Sequence, residues 1–158
     1  MTRPLFRALP TEIARSYQAG GPDAHGRPPE HLVAGDSPPG PCRHCMTVIQ
    51  PAEEYLVLAH RPFSALQPYA ETGPIFLHAR PCERHPDATD VPALLMRSSQ
   101  LIVRGYSAGE RIIYGTGALV APDRVAETAA RLLDRPDVAF VHVRYAATNC
   151  YACRIDRG

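Results

Sequence analysis

Five glycines and six prolines occupy 11 of the 22 positions from Gly20 to Pro41, a density that rules out a regular helix and leaves room only for a brief extended piece at His31 to Ala34. Loops this long are uncommon inside compact domains and are often functional; a mobile surface loop is the plain alternative. The run ends on Pro41-Cys42-Arg43-His44-Cys45, and a two-residue gap lets both cysteines of one tight turn point at a common centre. A second pair with the same gap, Cys150 and Cys153, stands near the other end, so the two meet only if the intervening chain folds back.

Two such pairs supply the four soft ligands of a tetrahedral zinc site. Nearer partners also exist: His78 with Cys82, or Cys82 with His85, can complete a site begun by Cys42 and Cys45. A second reading needs no metal. Arg43 and His44 flank the first pair, and positive neighbours raise a thiol's thiolate fraction. A third treats the cysteines as small buried hydrophobes of a protein-interaction module.

At 158 residues and 45% hydrophobic content the chain supports one ordinary core, so residues 1–158 are expected to form a single domain. A net charge of +1 provides no bulk field for nucleic acid or an anionic membrane, and neither is an expected partner. All 17 basic residues are arginine, which excludes Schiff-base lysine chemistry and the lysine of a phosphate-binding loop. No signal-peptide pattern opens the chain, and no apolar run approaches the roughly 20 residues of a membrane span. The expected location is the cytoplasm, where thiols stay reduced; an odd count of five cysteines also argues against a complete disulfide framework.

Apolar residues recur every four positions at Leu5, Leu9, Ile13 and Tyr17, predicting a helix near Thr11 to Gln18 that Gly20 and Gly21 stop. Strand formers mark Glu54 to Ala59, Ile75 to Ala79, Leu101 to Tyr106, Arg111 to Gly115, Val138 to Tyr145 and Tyr151 to Ile155, with a hairpin turn at Ser107 to Glu110. A second helix follows Pro122 and ends by Pro136, with Val125, Ala129, Leu132 and Leu133 on one face. The order predicts an α+β fold with a mainly antiparallel sheet, two principal helices and the long Gly/Pro-rich loop.

Polar residues on the strands suggest a further site. Glu71, His78, Arg80 and Arg84 gather around the Gly73-Pro74 strand, and His142 and Arg144 share one face of a later one. Arg43, His78 and Arg144 around a reactive thiol would bind a small anionic ligand; the simpler reading is a pair of solvated strand faces. Gly115-Thr116-Gly117 lacks the third glycine of a dinucleotide loop, and no serine sits in a nucleophile elbow.

The motif Pro41-Cys42-Arg43-His44-Cys45, the run Tyr69 to His78 with Cys82 four residues on, Arg104-Gly105-Tyr106, and Asn149-Cys150-Tyr151 leading to Arg154 together resemble the uncharacterised bacterial family known as domain of unknown function 1203. The resemblance extends from Phe6 to Arg157. It implies a small stand-alone bacterial protein and no particular activity. It makes Cys42, Cys45, Cys82 and Cys150 the firmer matches and His85 and Cys153 the weaker ones. The expected site is therefore a zinc centre drawn from Cys42, Cys45, Cys82 and Cys150, with His78 and Cys153 as further ligands.

Overall fold

The computed structural model describes residues 1–158. The chain runs β1 (Pro4–Arg7), α1 (Thr11–Gln18), β2 (Glu30–Val33), β3 (Glu54–His60), β4 (Gly73–His78), α2 (Ala93–Met96), β5 (Leu101–Tyr106), β6 (Ala118–Val120), α3 (Val125–Leu133), β7 (Phe140–Tyr145) and β8 (Tyr151–Arg157). The fold is α+β, as expected, and every strand pair within its two sheets is antiparallel.

Two compact units emerge, each assembled from separate stretches of chain. The first comprises residues 1–7, 63–71 and 86–158; the second comprises residues 8–62 and 72–85.

The first unit holds a five-stranded sheet in the order β1-β8-β7-β5-β6. Its α3 forms where the periodicity placed it, burying Val125, Ala129 and Leu133 against the sheet behind a turn that starts at Pro122. Leu5 belongs to β1, paired with β8 through Phe6 and Ile155, and not to a helical repeat. The predicted Arg111 to Gly115 strand shrinks to one bridge between Tyr106 and Ile112. The Thr116 hydroxyl explains this: it accepts the Gly105 N–H at 3.0 Å, occupying a backbone group that a partner strand would use. β6 instead pairs with Leu101 to Val103.

β7 departs from the solvated-face reading, because His142 and Arg144 are 1% and 4% exposed. His142 lies among the rings of Phe63, Tyr106, Phe140 and Tyr151 at centroid distances of 4.7 to 5.3 Å. Arg144 meets the Glu71 carboxylate at 2.9 Å and donates to the Asn149 carbonyl.

The second unit holds a three-stranded sheet, β2-β3-β4, with α1 packed against β4. Alternation does the sorting: Leu56 and Leu58 of β3 and Ile75 and Leu77 of β4 point inward with Leu9, Ala14, Ile49 and Cys42. Pro10 directly precedes α1, and Gly20, at a φ of 88°, takes the left-handed conformation that ends it. The Gly/Pro-rich loop yields only β2, an edge strand, before delivering the chain to Cys42.

Candidate metal centre

Cys42 and Cys45 occupy a tight turn closed from both sides. The Cys42 N–H donates to the Thr47 carbonyl at 2.9 Å, and the Met46 N–H donates to the Cys42 carbonyl at 2.9 Å. Met46 takes a φ of 56° to complete it. Arg43 N–H donates to the Phe76 carbonyl, which fastens this turn to β4. Gly40 makes the approach feasible, since a Cβ there would stand 2.9 Å from the Phe76 ring.

His78 is the last residue of β4, and Cys82 follows after the chain leaves the sheet. α1 holds this second ligand segment. Gln18 Nε2 donates to the carbonyls of His78 and Arg80, and Arg15 donates to the carbonyl of Cys82 while also bonding Gln18.

The sulfurs of Cys42, Cys45 and Cys82 and a ring nitrogen of His78 all lie within 4.8 Å of one another. The Cys42 and Cys82 sulfurs are 3.9 Å apart, and Cys45 Sγ is 3.4 Å from His78 Nδ1. Zinc bonds of about 2.3 Å to sulfur and about 2.0 Å to nitrogen, at the tetrahedral angle, place sulfurs about 3.8 Å apart and sulfur and nitrogen about 3.5 Å apart. The donor set and its spacing thus suit one tetrahedral ion.

The surroundings are those of a ligand set. His78 Nε2 lies 3.0 Å from Glu53 Oε2, leaving Nδ1 to face the cluster; a carboxylate behind a histidine fixes ring and tautomer in metal sites. The His78 N–H points to Cys42 Sγ at 3.4 Å, and Thr47 Oγ1 lies 3.1 Å from Cys45 Sγ. Fully buried His44 spans Cys82 Sγ, 3.1 Å from its Nδ1, and Thr11 Oγ1, 2.9 Å from its Nε2.

Electrostatics separate the three thiols. Cys45 is pulled well below the usual thiol range, first by a hydrogen bond from Cys42, whose own thiol is pushed far up by the same bond and by burial. Burial also raises Cys82. His44 is driven below its ordinary value by desolvation and by Arg15, so at neutral pH it serves as a neutral hydrogen-bonding group and not as the positive neighbour the sequence suggested.

Cys45, His78 and Cys82 line a cleft of about 690 Å³ with Thr47, Glu53, Glu54 and Arg80 around it, whereas Cys42 is completely buried. The other predicted residues take different places. Cys150, half-buried, precedes β8, and Cys153 is buried within β8; both belong to the first unit, outside this group. Arg43, 3% exposed, donates to the Pro41 carbonyl at 2.7 Å. Of the rival pairs, His78 with Cys82 joins Cys42 and Cys45; His85 instead uses its backbone N–H to bond the His44 carbonyl. Glu53, Thr11 and Thr47 gave no signal in the sequence, because single polar residues 25, 33 and 2 positions from their partners carry no recognisable spacing.

Fold and cluster together define an α+β protein with a Cys3His group of metal-binding type. Residues 40–157 match the family described as protein of unknown function (DUF1203), and the chain belongs to that family, as its motifs indicated. No curated protein and no solved structure matches it.

Proposed function

We propose that this is a zinc protein of the bacterial cytoplasm, in which Cys42, Cys45, His78 and Cys82 hold a single ion. The observation that carries the reading is the convergence of three thiols and one carboxylate-backed imidazole at tetrahedral spacing. Four protein ligands complete a tetrahedral shell, which is the pattern of a structural site. The ion would tie the Cys42 turn to the end of β4 and to the segment that α1 holds, and so fix the Gly/Pro-rich loop's exit. Thiolate ligands persist in a reducing compartment, which suits the cytoplasm.

Elemental analysis of the chain purified without an affinity tag tests this. About one zinc per chain is expected, with the three cluster thiols shielded from a thiol reagent until a chelator is added. A metal-free chain whose cluster thiols all react at once would overturn it.

The second reading is a metal-free binder of small anions with a reactive thiol, using Arg43 and His78. What favours it is Cys45, a depressed thiol facing an open cleft. Arg144, the third residue the sequence offered, belongs to the first unit, where the Glu71 carboxylate already compensates it.

A further inference from the structure

The first unit carries an arginine whose charge is matched but whose hydrogen bonds are not. Arg144 of β7 is 4% exposed, and its Nη1 donates to the Asn149 carbonyl at 3.0 Å. The edge formed by Nε and Nη2 is buried and makes no hydrogen bond. Glu71 Oε2 stands 2.9 Å from Nη2, close enough to offset the charge but outside hydrogen-bond geometry. An Nε–Nη2 edge is where a planar carboxylate seats with two parallel N–H···O bonds, and a buried charged donor without an acceptor is a costly arrangement.

A second guanidinium faces the same carboxylate. In the pairing of β5 with β7, Arg104 opposes His142 and Ile102 opposes Arg144, which puts both arginines on one face of the sheet. Arg104 Nε donates to the Tyr106 hydroxyl at 3.0 Å, and its Nη2 lies 3.3 and 3.4 Å from the two Glu71 oxygens. Two cations thus share one carboxylate, and one positive charge is left over. Glu71 keeps 35% of its side chain exposed and Arg104 19%, so the carboxylate has water to turn into. Glu71, Arg104 and Asn149 come from three of the motifs that carry the family resemblance, and none of the three belongs to the zinc centre.

We propose that Arg104 and Arg144 form a binding site for the carboxylate of a small organic acid, with Glu71 as its displaceable placeholder. When Glu71 turns outward, the ligand's two oxygens accept from Arg144 Nε and Nη2, and Arg104 Nη2 bonds the outer one. The ligand then gains the bidentate contact that Glu71 does not make. This site lies in the first unit, the zinc ligands lie in the second, and neither reading depends on the other.

Heteronuclear NMR of the full-length chain tests this by following the Arg144 Nε–H resonance during titration with sodium acetate, against sodium chloride and sodium phosphate at equal ionic strength. Acetate should shift it saturably and chloride should not. Glu71→Gln removes the competitor and should tighten acetate binding about tenfold or more, because Glu71 no longer reduces the binding-competent fraction. Arg104→Gln should weaken it about tenfold through the loss of one charge-assisted hydrogen bond. The proposal is overturned by no saturable shift in the unaltered chain and Glu71→Gln, an equal shift with chloride, or an affinity unchanged in both variants. Phosphate binding more tightly than acetate would overturn the carboxylate assignment.

Discussion

Glu53 Oε2 lies 3.0 Å from His78 Nε2, so the carboxylate holds the imidazole with its other nitrogen turned to the three sulfurs. Glu53 itself is held below its ordinary value, first by the Gln50 N–H and then by His78. Replacing it by Gln keeps the shape and removes the charge. Glu53→Gln is expected to weaken zinc affinity about 10- to 100-fold with little change in fold, read by competition with a chromogenic chelator and by circular dichroism.

The four ligands should divide cleanly from the remaining cysteines. Cys42→Ser is expected to lower bound zinc from about one per chain to near none, whereas Cys150→Ser should leave it unchanged. Stripping the metal from the unaltered chain should lower the melting temperature by about 10 °C or more, because binding free energy at such a site is folding free energy. A chelated protein that melts where the loaded one does would contradict this.

Acid should destabilise the second unit through His60. Burial, helped by Arg43 and Arg61, lowers its pKa to about 4, and its Nδ1 lies 3.1 Å from the Tyr17 hydroxyl. The unfolded chain, with an ordinary histidine near about 6.5, binds the proton first as pH falls. Stability is therefore full above about pH 6.5 and declines towards pH 4, by about 3 kcal/mol at most. Urea midpoints from pH 7.5 to 5 should show this slope in the unaltered chain and a shallower one in His60→Gln, the difference cancelling acid release of zinc.

In the first unit, Glu71 faces two guanidinium groups, Arg144 at 2.9 Å and Arg104 at 3.3 Å. Arg144 is nearly buried, while Glu71 keeps 35% of its side chain exposed, which screens part of the attraction. Glu71→Gln should cost about 2 kcal/mol, less than the 3–5 kcal/mol of a fully buried broken pair. Denaturant unfolding measures it, and zinc content should not change.

Much of this protein is legible in residue order. Helical spacing at Val125, Ala129 and Leu133, the glycines after Gln18 and the β-branched runs fixed α1, α3 and most strands, because those signals act between neighbours in sequence. The Cys42 and Cys45 pair was visible for the same reason, since its geometry is that of one turn. β1 and β6 were hidden: four- and three-residue strands carry too little pattern, and their pairing depends on β8 and β5, far along the chain. The choice of His78 and Cys82 as the second half of the cluster also belonged to tertiary structure alone. Cys150 and Cys153 had the better spacing, but a sulfur's partners are set by which backbones lie side by side. That was decided by the pairing of β3 with β4, the bridge from Cys42 to Phe76 and the grip of α1 on the segment after His78.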